Sequence, residues 1–317
     1  MTTVRWRRED GPAIGAIRPP AVAGSFYPAR PDRLRDLVTA LLDEADGQAD
    51  AAHGPNAEAA APPCGLLVPH AGLVFSGLVA AAAWRRVDPR RRGGAPAGAA
   101  PATVVLLGTN HGAAWLDGVG VWEAGAWRTP LGDAEVDEDL ATAIVGLGPP
   151  FTVERAAHLG EHSIEVQLPF VQALLPGTRI VPLAIATGRG AGAVAAGAAL
   201  GGLLAERRAT GDRLLLAISS DMAHYPAEAG CGWATAALLP SILDVDAFGL
   251  ARSEQAVVDG GTPRLVCGMC GIEPAVVGLA ALRTMGAGRG VRLADATSAD
   301  AGGPADRTVG YLAVAFP

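Results

Sequence analysis

A chain of 317 residues, half of them apolar, can bury the core of one large α/β domain. Its net charge of −7 argues against a nucleic-acid groove and against an anionic membrane surface, and no uninterrupted apolar run reaches the length that spans a bilayer. Every one of the 25 basic side chains is arginine, which excludes a lysine Schiff base and a P-loop.

The N-terminus, with Arg5, Arg7, Arg8, Glu9 and Asp10, lacks the apolar stretch of a signal peptide. Cys64, Cys231, Cys267 and Cys270 are therefore expected as thiols or metal ligands, and the cytoplasm is the expected compartment. Residues 1–17 read as a disordered segment and 18–317 as a single domain. Arg18 to Pro28 is a loop, since its prolines and glycine oppose regular structure. Asp32 caps a helix whose Leu34, Leu37, Val38, Leu41 and Leu42 follow a 3.6-residue period. Ala45 to Pro63 reads as an exposed connector of small and polar residues.

The apolar run Leu66 to Val68 reads as a strand that stops at Pro69-His70-Ala71-Gly72 and feeds an alanine-rich helix to about Trp84. Arg85 to Pro101 reads as a surface loop with five solvated arginines. A strand over 103–108 runs into Thr109-Asn110-His111-Gly112. Val119 to Trp122 alternates as a strand, and Asp137 opens a helix through Leu140, Ile144 and Leu147. His158 to Ser163 reads as a loop before a helix to Leu175. A strand at Ile180 to Leu183 and a helix to about Arg208 lead to the strand Leu214 to Ile218, which ends in Ser219-Ser220-Asp221-Met222-Ala223-His224-Tyr225. Helices at Trp233 to Leu243 and Val245 to Ala251, a turn at Val266 to Gly271, a helix from Glu273, and strands at Val291 to Ala294 and Gly310 to Phe316 complete the chain. This alternation predicts an α/β three-layer sandwich, a central sheet flanked by helices.

Ligands of open α/β sheets gather beyond the carboxyl ends of the strands. His70 and His111 each follow such a strand beside glycine, and Cys267 sits in a turn before a helix. Two imidazoles and one anionic ligand would hold a transition metal and leave coordination positions open. Read alone, each of the three has a structural explanation; the matched contexts of the two histidines carry the pairing. Asp221 with His224 suits proton transfer near neutral pH, with a helix cap as the plain alternative. His158-x-x-Glu161-His162 matches the H-x-x-E-H protease pattern, but Gly160 and Pro169 oppose the continuous helix that pattern needs. Cys267-x-x-Cys270 at a helix start would suit a thiol redox pair. There is no Gly-x-Ser-x-Gly elbow and no dinucleotide fingerprint behind a strand.

Taken together, Ala21-Val22-Ala23-Gly24-Ser25-Phe26-Tyr27-Pro28, Pro69-His70-Ala71-Gly72, Gly108-Thr109-Asn110-His111, Glu161-His162-Ser163-Ile164-Glu165-Val166-Gln167-Leu168-Pro169-Phe170, Ser219 to Tyr225 and Val266-Cys267-Gly268 resemble the successive signatures of the Memo family. Its prokaryotic branch is called AmmeMemoRadiSam system protein B. The resemblance implies a fold like that of LigB-type class III extradiol dioxygenases. It also implies iron(II), or copper, bound by His70, His111 and Cys267, with His224 and Asp221 as the acid/base pair. The expected function is that of a non-heme iron oxidoreductase of dioxygenase type acting on a small molecule, with His162, Glu161, Phe26, Tyr27 and Phe75 around the pocket. The alternative is a non-catalytic peptide- or protein-binding module working with AMMECR-domain and radical SAM partners; a zinc hydrolase is a third reading. Neither nucleic acid nor membrane is an expected partner.

Overall fold

The computed structural model describes residues 7–53, 62–91 and 100–317. In chain order its strands are β1 (Ile17–Arg18), β2 (Gly65–Val68), β3 (Thr103–Thr109), β4 (Gly118–Val121), β5 (Ala126–Thr129), β6 (Gly132–Glu135), β7 (Phe151–Val153), β8 (Arg179–Ala186), β9 (Leu214–Ser219), β10 (Val291–Thr297) and β11 (Gly310–Phe316). The helices are α1 (Pro31–His53), α2 (Leu73–Trp84), α3 (Glu138–Val145), α4 (Leu168–Leu174), α5 (Ala191–Ala209), α6 (Glu228–Leu243), α7 (Ala247–Asp259) and α8 (Ile272–Thr284).

The main sheet has eight strands in the order β10-β11-β2-β9-β3-β8-β4-β7. Its middle, β2-β9-β3-β8, is parallel, with Leu66 opposite Ala217 and Leu107 opposite both Ile218 and Leu183. These strands are buried along their length, which is why they read as unbroken apolar runs rather than as alternating ones. β9, late in sequence, inserts between β2 and β3 and so sets the carboxyl ends at Val68, Ser219 and Thr109 beside one another. Side chains alternate across the sheet. Leu107 and Ile218 meet α8 at Gly278, while Gly108 faces Ser163 and Ile164 on the other side. Helices thus cover both faces, as expected for three layers. No helix among the described residues is long and apolar enough to cross a membrane.

The α5–α8 contact depends on missing side chains. Gly197 and Gly201 lie one turn apart on the same face of α5. A Cβ on either would strike the α8 backbone, at Val277 and Ala281 respectively.

The structure departs from the sequence reading in three places. The expected connector after Ala45 is helical as far as His53, and Ala45 is core. Residues 54–61 lie outside the described residues. The expected arginine loop opens with two short 3-10 turns, Arg85–Val87 and Pro89–Arg91, held against α1 by ion pairs of Arg85 and Arg91 with Asp46 and of Arg91 with Asp43. Charge alone suggested solvation; the carboxylates one helix face away draw these arginines in. Residues 92–99 are outside the described set. Finally, of the expected disordered leader, residues 1–6 lie outside the described set, Arg8–Asp10 form a 3-10 turn, and its last residue, Ile17, opens β1, paired in parallel with β5 in a small sheet β1-β5-β6. Strands of two to four residues carry too little periodicity to be read.

β1 delivers Arg18, fully buried, to a carboxylate. Its Nη1 donates to Glu165 Oε2 at 2.6 Å, its Nε to the His158 carbonyl at 2.7 Å, and its Nη2 to the Glu161 carbonyl at 2.5 Å, with the guanidinium 4.1 Å over the Trp127 ring. Glu165 also accepts from the backbone N–H groups of Ala21 and Val22 and from the Tyr27 hydroxyl. The 18–28 loop is therefore bolted to the segment that carries Glu161 and His162. Glu165→Ala strands a buried guanidinium, and urea unfolding should show a loss of about 3–5 kcal/mol; a loss below about 1 kcal/mol would mean that water reaches Arg18.

His158 is also fully buried. Its Nε2 lies 3.0 Å from the Gly120 carbonyl, between the edges of Trp122 and Trp127. Burial pushes its pKa down to about 3. Between that value and the unfolded value of about 6.5, the unfolded chain binds a proton that the native chain refuses. The contribution is therefore complete above about pH 6.5 and is lost as pH falls, by about 1.4 kcal/mol per unit. In acid unfolding followed by tryptophan fluorescence, His158→Gln should flatten that slope; an unchanged slope would assign it to other groups.

Candidate metal centre

Three loops leave the adjacent ends of β2, β9 and β3; a carboxylate on the β9 loop ties it to the β2 loop, and a second, on the segment after β7, holds the β3 loop. Asp221, just past β9, accepts at Oδ1 from the backbone N–H of His70 at 2.7 Å and of Ala71 at 3.2 Å. Glu161 accepts from the His111 backbone N–H at 2.8 Å and lies 2.9 Å from His111 Nδ1. It also takes the N–H groups of His162 and Ser163, both at 2.8 Å. Glu161-His162-Ser163 is thus a turn wrapped around its own carboxylate, and the helix that H-x-x-E-H would need is absent here.

The imidazoles converge. The His111 and His162 rings stack at 4.5 Å, and His70 stands edge-on to both at 5.4 Å. Phe26 packs 4.8 Å from His162 and closes that side. His70 Nδ1 lies 3.0 Å from Ser219 Oγ, and its Nε2 lies 3.2 Å from Cys270 Sγ. His224 is held by backbone bridges to Cys267 and Val309. Its Nε2 is 4.0 Å from Asp221 Oδ2 and is buried without a hydrogen-bond partner. Its neighbour Tyr225 adopts φ 71°, a left-handed conformation unusual for a bulky residue, with its ring 5.3 Å from the His224 ring.

Electrostatics follow the packing. Burial lowers His70 well below the ordinary histidine value, with His162 and His111 adding to it. Burial likewise takes His162 and His224 down to about 4. At His111 burial also pulls down, but the hydrogen bond and charge of Glu161 win and raise it. At Glu161 burial pulls up, but the His111 hydrogen bond, the His111 and His162 charges and the Ser163 N–H hold it well below the carboxylate range. Burial lifts Asp221 to about 7, against its two backbone hydrogen bonds.

Three donor sets lie with their atoms within 4.8 Å of one another: His70, His111 and Cys270; His111, Glu161 and His162; Asp221, His224 and Cys270. The sulfur in this cluster is Cys270, where the sequence reading placed Cys267. Cys267 belongs to no such set among the described residues. Its backbone pairs with His224, whose N–H it accepts, and burial with the nearby Glu254 pushes its thiol up to about 12. Three residues later the chain has turned: Cys270 N–H donates to the Asp221 carbonyl, and Gly271 N–H donates to Ser220 Oγ at the start of α8. In this turn the dipeptide Cys-Gly occurs at 267–268 and again at 270–271, and of these two only the second abuts α8; that was the available signal.

Tyr27 does not line the pocket. It is core, with its hydroxyl on Glu165. Phe75 is half-exposed on α2. Ser219, read only as a strand end, is a direct partner of His70. If Glu161 is what raises His111, then Glu161→Gln should bring the His111 pKa of the metal-free protein below that of wild type in an NMR titration; an unmoved midpoint would remove Glu161 from that role.

A family model described as Memo-like protein matches residues 18–315. A MEMO1 family protein of Methanopyrus kandleri is 35% identical over 301 residues, covering 94% of this chain and 98% of its own length. A MEMO1 family protein of Methanocaldococcus jannaschii is 34% identical over 307 residues, with the same two coverages of 94% and 98%. One from Aquifex aeolicus is 33% identical over 302 residues, covering 95% and 99%. Among solved structures, the crystal structure of an uncharacterized protein from Escherichia coli K12 matches with a TM-score of 0.51 at 16% identity, covering 79% of this chain and 98% of that one, a likeness of fold alone.

Proposed function

This chain belongs to the Memo-like protein family, and from that premise we propose that it binds a transition metal through His70, His111 and Cys270 and serves as a non-heme iron oxidoreductase of dioxygenase type on a small molecule. The observation that carries the reading is the convergence of two imidazoles and a thiol within 4.8 Å. The donor set fits such an ion. His111 turns Nδ1 to Glu161, which leaves Nε2 as its free donor. Burial keeps His70 neutral, the form that ligates. Burial also raises the Cys270 thiol well above its ordinary value, so metal uptake displaces a proton from sulfur and is favoured by higher pH.

Bound there, iron(II) would supply the one-electron chemistry with dioxygen that no side chain of this chain provides. The remaining work falls to the protein. His224 is neutral at pH 7, and its buried Nε2 has no partner, so it is the group free to accept a proton from a substrate hydroxyl. Asp221, 4.0 Å away, would stabilise the resulting imidazolium in its ionised form, which its pKa of about 7 makes part of the population at neutral pH. Phe26 and His162 pack together as an aromatic wall on that side.

The test is iron content after anaerobic reconstitution. Wild type should hold near-stoichiometric iron, and the His70→Ala, His111→Ala double variant none. Cys270→Ser should weaken binding by more than about 100-fold, since loss of a mere outer partner of a ligand already costs about 10–100-fold. Cys267→Ser should bind as wild type does. Iron that survives in Cys270→Ser, or vanishes in Cys267→Ser, would sink the ligand assignment. A wild-type protein that takes up no metal would leave the binding-module reading in its place.

A further inference from the structure

Behind His70 runs a chain of hydrogen bonds among side chains that are all fully buried. Trp84 Nε1 donates to Gln167 Oε1 at 2.9 Å. Gln167 Nε2 lies 2.8 Å from the Pro69 carbonyl oxygen and 3.1 Å from Ser219 Oγ. Ser219 Oγ lies 2.6 Å from the Ser163 carbonyl oxygen and 3.0 Å from His70 Nδ1.

The direction of every bond in this chain is forced. An indole N–H only donates, and a backbone carbonyl only accepts. Trp84 therefore fixes the Gln167 oxygen toward itself, and Pro69 fixes the amide nitrogen on the other side. The flipped amide would set NH2 against N–H and oxygen against oxygen. Gln167 then spends one N–H on Pro69 and the other on Ser219. The single hydroxyl proton of Ser219 must go to the Ser163 carbonyl. Of the two acceptor sites on that oxygen, Gln167 takes one, and the other faces His70 Nδ1. The imidazole can satisfy this contact only by donating.

We infer, with the metal-binding reading above as premise, that Trp84, Gln167 and Ser219 are positioning residues that lock His70 as its Nδ1–H tautomer and so hold the Nε2 lone pair toward the metal. Cys270 Sγ, 3.2 Å from Nε2, marks the direction in which that lone pair points. None of the three touches the metal position. Their effect is to remove the alternative tautomer, in which Nε2 carries a proton and cannot ligate. The two ligand histidines are thus oriented by different devices. His111 uses a buried carboxylate, whereas His70 uses an uncharged relay that adds no negative charge to the site.

The experiment has two readouts on the full-length chain. The first is the nitrogen-15 spectrum of the histidine side chains in metal-free protein, with the His70 signals assigned by their loss in His70→Gln. Wild type should show a protonated Nδ1 and a bare Nε2 at His70, and Ser219→Ala should show a mixture of tautomers. The second is iron(II) affinity, which should fall about 10–100-fold in Ser219→Ala and by a smaller factor in Gln167→Met. A wild-type His70 protonated at Nε2 overturns the inference without recourse to any variant. Unchanged tautomer and affinity in Ser219→Ala overturn it as well. A wild type with Nδ1–H at His70 that takes up no iron upholds the lock and refutes the metal reading alone.

Discussion

The insertion of β9 between β2 and β3 is the constraint on which the site depends. Parallel strands can be neighbours in the sheet while being far apart in the chain, because helical crossovers separate them. Here residues 68, 109 and 219 end adjacent strands, and each is followed within a few residues by a histidine or a carboxylate. No single loop holds the cluster. The hydrogen-bonded sheet sets the spacing of the loops, so the imidazoles are as fixed relative to one another as the strands are.

Carboxylates do the fine positioning, two from the segment between β7 and α4 and one from the loop after β9. Glu165 fastens the 18–28 loop, Glu161 folds its own turn around itself and orients His111, and Asp221 draws the His70 backbone to the β9 loop. All three are buried, so each is costly unless its lone pairs are filled by N–H or O–H donors. Glu161 and Glu165 meet that demand with four or more donors between backbone and side chains. Asp221 has fewer, and its raised pKa is the electrostatic expression of that shortfall. Asp221 and His224 thus both owe their shifted pKa values chiefly to burial.

The sheet was legible because its central strands are apolar on both faces, α1 and α3 because of the period of their apolar positions, and α3 also because of its Asp137 cap. His70, His111, Asp221 and His224 were legible because strand ends announce themselves as a run of aliphatic residues that stops abruptly. The choice between Cys267 and Cys270 was not, since two Cys-Gly dipeptides three residues apart look alike until the start of α8 is placed. Ser219 and Gln167 were hidden for a different reason. Polar residues inside apolar sequence take their meaning from what they face across the fold, and the partners of Gln167 lie at 69, 84 and 219. Tyr27 shows the converse: an aromatic beside glycine invites a pocket reading, and only the Glu165 carboxylate behind it makes it core.

The glycines of α5 give the sulfur a remote support. α8 is a rod of 13 residues, about 20 Å long, whose leading end is separated from Cys270 by Gly271 alone. Gly201 meets that rod near its trailing end, against Ala281 and Thr284, while Gly278 settles its middle onto Ile218 and Leu107 of the sheet. A stiff helix seated at two such points pivots little, so the sulfur's height above the imidazoles is gauged by backbone contact at the opposite end of the helix. Steric bulk there would act as a shim, tilting the thiol out of register with no change in any residue it touches.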